Sequence, residues 1–131
     1  MLAIVTGSTG FIGSHLCRAL IAAGHEVRAF HRPDSSLLLL ENLDVEHCIG
    51  DITQPDRLAD ALKGVEVVFH TAAKLGIARD LDLMYAVTVV GTRNVLNAAR
   101  AAGVRRVIHT STIAALGFPK NRAISISLPL Q

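Results

Sequence analysis

The residues best suited to chemistry lie close together in the run Thr6-Gly7-Ser8-Thr9-Gly10-Phe11-Ile12-Gly13. Its glycines fall at G-x-x-G-x-x-G, after an apolar stretch over 2–6 and before a helical pattern over 11–23. Glycine permits a tight turn and lets backbone N–H groups approach phosphate oxygens. A helix that begins at such a turn adds unpaired amides and the positive end of its dipole. The third glycine allows the helix to pack close to the strand. Without the strand and the helix the run would be a plain glycine-rich turn; between them it reads as a phosphate cradle.

Further polar residues stand where other apolar stretches end. After the second comes His31-Arg32. A binder of NAD usually carries Asp or Glu there, bonded to the ribose 2′-hydroxyl, whereas a cation suits a 2′-phosphate. NADP is therefore the expected ligand, with NAD as the second candidate. Asp51-Ile52, Thr71-Ala72 and Ser111-Thr112 follow later stretches in the same way, and the ends of parallel strands line the ligand crevice of an open sheet. Taken alone, Asp51 could equally cap a turn before Pro55, and His70 is more naturally a satisfied buried histidine. None of the six histidines pairs at metal-ligand spacing, so no metal site is expected.

The elements that must position these residues follow from one joint used three times. Ala22-Ala23-Gly24, Leu62-Lys63-Gly64 and Ala101-Ala102-Gly103 each end a helical pattern in a glycine suited to a left-handed cap, and a β-branched strand follows. The spacing predicts strands over 2–6, 26–30, 44–49, 65–70 and 104–111. It predicts helices over 11–23, 55–63 and 81–102, with at best a short helix over 35–42. Alternating strands and helices imply a parallel sheet. The expected fold class is α/β, a Rossmann-type doubly wound sheet that stops after its fifth strand. The cofactor-binding domain is expected over 1–118, with an irregular tail over 119–131.

Composition narrows the function classes. Half of the 131 residues are hydrophobic and 4% are aromatic, which suits strands buried on both faces by small and aliphatic side chains. The formal net charge is +2, with no basic block beyond Arg105-Arg106, so a nucleic-acid partner is not expected. Cys17 and Cys48 do not make a disulfide framework and read as small buried side chains in a reducing compartment. No apolar run has the length of a membrane span, and the first residues lack a signal-peptide pattern. A cytoplasmic location without membrane contact is expected.

The motifs together resemble the short-chain dehydrogenase/reductase superfamily, in its extended branch of nucleotide-sugar epimerases, dehydratases and dihydroflavonol-reductase-like enzymes. The likeness covers about residues 1 to 118. It implies that Gly7, Gly10 and Gly13 are the cofactor glycines, within the loop that includes Ser8, Thr9, Phe11 and Ile12. Gly50-Asp51-Ile52 is similar to the family segment in which Asp51 would bond the adenine amine and Ile52 would line the adenine pocket. Phe69-His70-Thr71-Ala72-Ala73 matches an H-x-A-A segment that packs on the cofactor ribose. Gly91-Thr92-Arg93-Asn94-Val95-Leu96 matches a family helix, although Thr88 stands where relatives usually have Asn. Thr112, after Ser111, aligns with the catalytic hydroxyl.

One departure is larger. The family's Tyr-x-x-x-Lys is missing: Tyr85, the only tyrosine, is on the wrong helix and is followed four residues later by Val89. In the family that tyrosine is the general acid and base, and its lysine lowers a phenol pKa that is otherwise near 10. The expected function is thus the cofactor-binding half of an NAD(P)-dependent oxidoreductase or epimerase acting on a small-molecule carbinol or carbonyl. A non-catalytic dinucleotide-binding module or sensor is the alternative. The resemblance also implies a homodimer through the long helix.

Overall fold

The computed structural model describes residues 1–74, 80–112 and 115. Five strands, β1 (Leu2–Thr6), β2 (Glu26–His31), β3 (Glu46–Ile49), β4 (Val67–His70) and β5 (Arg106–His109), form one sheet. All pairings are parallel, in the order β3-β2-β1-β4-β5. Strand order reverses beside β1, so the carboxyl ends of β1 and β4 flank the crevice where ligands bind in such sheets.

The connecting helices are α1 (Phe11–Ala22), α2 (Pro55–Ala61), α3 (Leu81–Tyr85) and α4 (Thr92–Ala101). Gly24, Gly64 and Gly103 take φ angles of 76°, 75° and 70°, so the repeated joint is a left-handed glycine that turns each helix back toward the sheet. Pro55 opens α2, where its missing N–H removes no helical bond.

Alternation along β1 divides the interior. Ala3 and Val5 face α1, with Cys17, Leu20, Val27 and Ala29. Ile4 faces the other way, into a layer of Phe30, Leu58, Leu62, Val68, Val95 and Ala99 under α2 and α4. Burial pushes the Cys17 thiol up to about 11, so it packs as a small hydrophobe and is not poised as a thiolate. Cys48 departs from the expected burial: it is only half-buried, because β3 is the sheet edge.

Several boundaries differ from those expected, each for a local reason. Val45 N–H bonds to Leu43 C=O in a tight turn, so β3 begins at Glu46. Val65 N–H bonds back to Leu62 C=O, which spends the first residues after Gly64 on the joint. The segment 35–42 makes only a 3₁₀ turn, Leu38–Leu40, without a side-chain cap. The long helix is interrupted by a π-helical stretch, Ala86–Gly91, between α3 and α4. There Gly91 meets Ile52, whose Cδ1 lies 2.6 Å from where a Cβ would stand. The tail 119–131, and with it the expected domain boundary at 118, lies outside the described residues. Among the described residues, no helix is long and apolar enough to cross a membrane.

Candidate functional site

The glycine turn forms a cradle that side chains would fill. Gly7 has φ 70°, and a Cβ there would lie 2.8 Å from the Ala72 backbone. The turn after β1 and the segment after β4 are thus in direct contact. A Cβ on Gly13 would lie 2.2 Å from the Gly7 carbonyl oxygen, so only glycine lets α1 begin against its own loop. Gly10 N–H bonds to that same carbonyl at 3.0 Å. No side chain caps α1 and no acidic residue stands in its first turn. The first amides of the helix have no acceptor within it, which leaves donors and a positive dipole end for an anion.

Hydroxyls in the loop hold the structure together. Ser8 is fully buried and donates to Phe30 C=O at 3.2 Å, fastening the turn to β2. Thr71 donates to Thr6 C=O at 2.7 Å. Thr9 and Ala72 are half-buried, and Ala73, Phe11 and Ile12 are exposed at the crevice mouth.

Beneath the crevice runs a buried polar chain that joins three elements. Thr6 Oγ1 and His70 Nδ1 are 2.7 Å apart, and His70 Nε2 and Thr92 Oγ1 are 2.9 Å apart. Thr92 Oγ1 donates its one proton to Thr88 C=O at 2.6 Å. It must therefore accept from His70, which fixes the Nε2–H tautomer and makes Thr6 the donor to Nδ1. His70 is fully buried and stacks on His109, with ring centroids 5.1 Å apart. Burial, and secondarily the neighbouring His109, lowers its pKa from 6.5 to about 4. His70 is a neutral connector, a satisfied buried histidine as expected. Thr92 and Thr88 were not singled out as its partners, because only the tertiary fold brings them to β4. Thr88 also accepts from Lys74 N–H at 3.2 Å, so the residue that departs from the family pattern tethers the segment after β4 to the π-helical stretch.

At the other end of the crevice, the ends of β2 and β3 frame a recess of about 460 Å³ that includes Arg32, Asp34, Gly50 and Asp51. His31 is buried; its Nδ1 lies 3.0 Å from Arg32 C=O and its Nε2 lies 3.1 Å from His47 Nδ1. Arg32 is exposed and pairs with Asp34 at 3.5 Å. Asp51 Oδ1 accepts from both the N–H and the hydroxyl of Thr53 at 2.8 Å, and this orients the carboxyl at the recess. Ile52 is buried in the layer of α2 and α4. Ser111 and Thr112 are exposed just past β5, and Thr112 C=O accepts from Ala115 N–H at 3.1 Å.

This parallel sheet, with its glycine cradle at the point of strand reversal, defines a Rossmann-type member of the extended short-chain dehydrogenase/reductase superfamily. Within it the chain belongs to the 3-beta hydroxysteroid dehydrogenase/isomerase family, whose model matches residues 4–126. It is 49% identical over 119 residues to the sterol demethylase protein B of Methylococcus capsulatus, spanning 89% of this chain and 36% of that protein. It is 41% identical over 112 residues to a 2-alkyl-3-oxoalkanoate reductase of Stenotrophomonas maltophilia, spanning 86% of this chain and 33% of that one. A crystal structure of a short-chain dehydrogenase/reductase superfamily protein from Agrobacterium tumefaciens with bound NAD superposes with a TM-score of 0.83 at 35% identity. That match covers 100% of this chain and 39% of the other. The chain thus spans about a third of the length of the curated relatives it matches.

Proposed function

We propose that this chain is the dinucleotide-binding portion of an NAD(P)-dependent reductase, epimerase or dehydratase acting on a small-molecule carbinol or carbonyl. The observation that carries the reading is the approach of Gly13 to the Gly7 carbonyl at the mouth of an uncapped α1. That space, with the free amides of the helix start, suits the pyrophosphate of a dinucleotide. The residues fit the rest of the cofactor in the same sense. Asp51 offers its second carboxyl oxygen to an adenine amine, and the segment after β4, in contact with Gly7 at Ala72, packs on a ribose. The nicotinamide, when bound, supplies hydride transfer. Thr112, beyond the end of β5, holds the substrate oxygen by hydrogen bonding, and the general acid–base pair is not among these 131 residues.

Arg32 at the end of β2 favours NADP over NAD, since its guanidinium suits a 2′-phosphate and β2 runs into His31-Arg32 where an NAD binder usually carries Asp or Glu. Titration of the protein with NADPH and NADH, followed by nicotinamide fluorescence, tests the reading. Saturable binding of both is expected, with NADPH the tighter. A ligand at about 100 times its Kd raises stability by roughly 2.7 kcal/mol, which thermal denaturation detects independently. No binding of either dinucleotide refutes the proposal, and equal affinities refute the preference.

A further inference from the structure

Arg32 is not alone at the recess. Arg57, on α2, lines the same cavity, together with Ile49, Gly50 and Asp51. The base of its side chain rests on the strand end: a Cβ placed on Gly50 would lie 3.0 Å from Arg57 Cβ and 2.7 Å from the Phe30 ring. The absence of a side chain at Gly50 thus sets how near α2 comes to the end of β3. Arg57 itself is exposed and belongs to no ion pair among the described residues.

The local charges explain why a second cation matters. Arg32 is paired with Asp34, and both line the recess. Two unit charges that close largely cancel at a distance, so the Arg32–Asp34 pair presents little net field to an incoming dianion. Asp51 adds a second carboxylate. On Arg32 alone, a 2′-phosphate would meet more negative than positive charge.

We infer that Arg57 is a specificity-determining residue, forming with Arg32 a two-guanidinium clamp on the 2′-phosphate of NADP across the recess. This deepens the reading given above and rests on it. Asp34 is the counter-ion that holds Arg32 in the free protein and is displaced when phosphate arrives. The clamp acts only on the phosphate, so it separates NADP from NAD without altering how the shared adenosine and pyrophosphate are held.

The test is direct binding of NADP+ and NAD+ by calorimetry to the protein and to Arg57→Ala, Arg57→Lys and Asp34→Asn. Arg57→Ala weakens NADP+ about tenfold or more, the usual worth of a charge-assisted hydrogen bond, and leaves NAD+ within about twofold. Arg57→Lys recovers part of the loss, and Asp34→Asn tightens NADP+ by freeing Arg32. Unchanged NAD+ binding shows that each variant is folded. Arg57→Ala that leaves the NADP+/NAD+ ratio unchanged, or weakens both ligands equally, overturns the inference while the dinucleotide-binding reading stands. A protein that binds neither dinucleotide overturns both.

Discussion

The buried His70 makes a quantitative prediction about acid. Its pKa lies near 4 in the fold against 6.5 for an ordinary histidine. The folded state therefore binds fewer protons than the unfolded chain throughout this interval. Stability from neutral His70 is fully present above about pH 6.5 and is lost as pH falls toward 4. At roughly 1.4 kcal/mol per pH unit the total loss approaches about 3 kcal/mol below pH 4, and at pH 5 it is about 2 kcal/mol. The structural reason is that protonated Nδ1 would confront Thr6, whose hydroxyl is already the donor. The threonine would have to turn its proton away, and the charge would stay buried against His109. Urea unfolding followed by circular dichroism at pH 7.5 and pH 5.0, on the parent and on His70→Gln, measures this. The variant is less stable at pH 7.5 but loses about 2 kcal/mol less than the parent between the two pH values. If both lose the same amount, His70 does not titrate as the buried chain requires and the tautomer argument fails.

Two glycines give further tests. Gly13→Ala places a Cβ 2.2 Å from a backbone oxygen, where no side chain can give way. It should cost at least about 1–3 kcal/mol as overpacking and abolish dinucleotide binding, read by thermal denaturation and by NADPH fluorescence. Gly91→Ala meets the side chain of Ile52, whose Cδ1 and Cγ1 lie 2.6 and 2.7 Å from the added Cβ. The expected cost of about 1–2 kcal/mol should fall when Ile52→Val is added, and a double-mutant cycle that shows no coupling would refute the contact.

Much of the architecture was readable because its signals are local. The three glycine joints and the apolar runs mark where each helix turns into a strand. Thr6, His31, Asp51, Thr71 and Ser111 could be placed at the crevice by strand ends alone. Long-range partners were not readable. Arg28 donates to Glu46 at 2.7 Å and to the Ala61 carbonyl at 3.0 Å, fastening β2 to β3 and to the end of α2. Nothing near Arg28 in the chain announces either contact. His70 finds Thr92 twenty-two residues away. The π-helical stretch could not be anticipated from periodicity, since one inserted residue hardly alters the hydrophobic pattern. Ser8 looked like a phosphate-loop hydroxyl, yet it is spent on Phe30. Arg57 carries no signal in the sequence, because the recess it borders exists only once α2 has docked on Gly50.

The strand order has a consequence for how the chain comes into being. β1 lies in the middle of the sheet, but its neighbour β4 is 64 residues further along, as the Thr6–His70 pairing shows. A parallel sheet offers no hairpin to start from, so each strand must wait for a crossover to return. At synthesis rates of about 5 to 20 residues per second, β1 leaves the ribosome roughly 3 to 13 s before the strand that closes its second edge. During that interval Ala3, Ile4 and Val5 form an unpaired apolar edge on a nascent chain. Strand β1 is synthesised well before its second edge is covered, and the phosphate cradle at its end takes shape only after Ala72 has been synthesised.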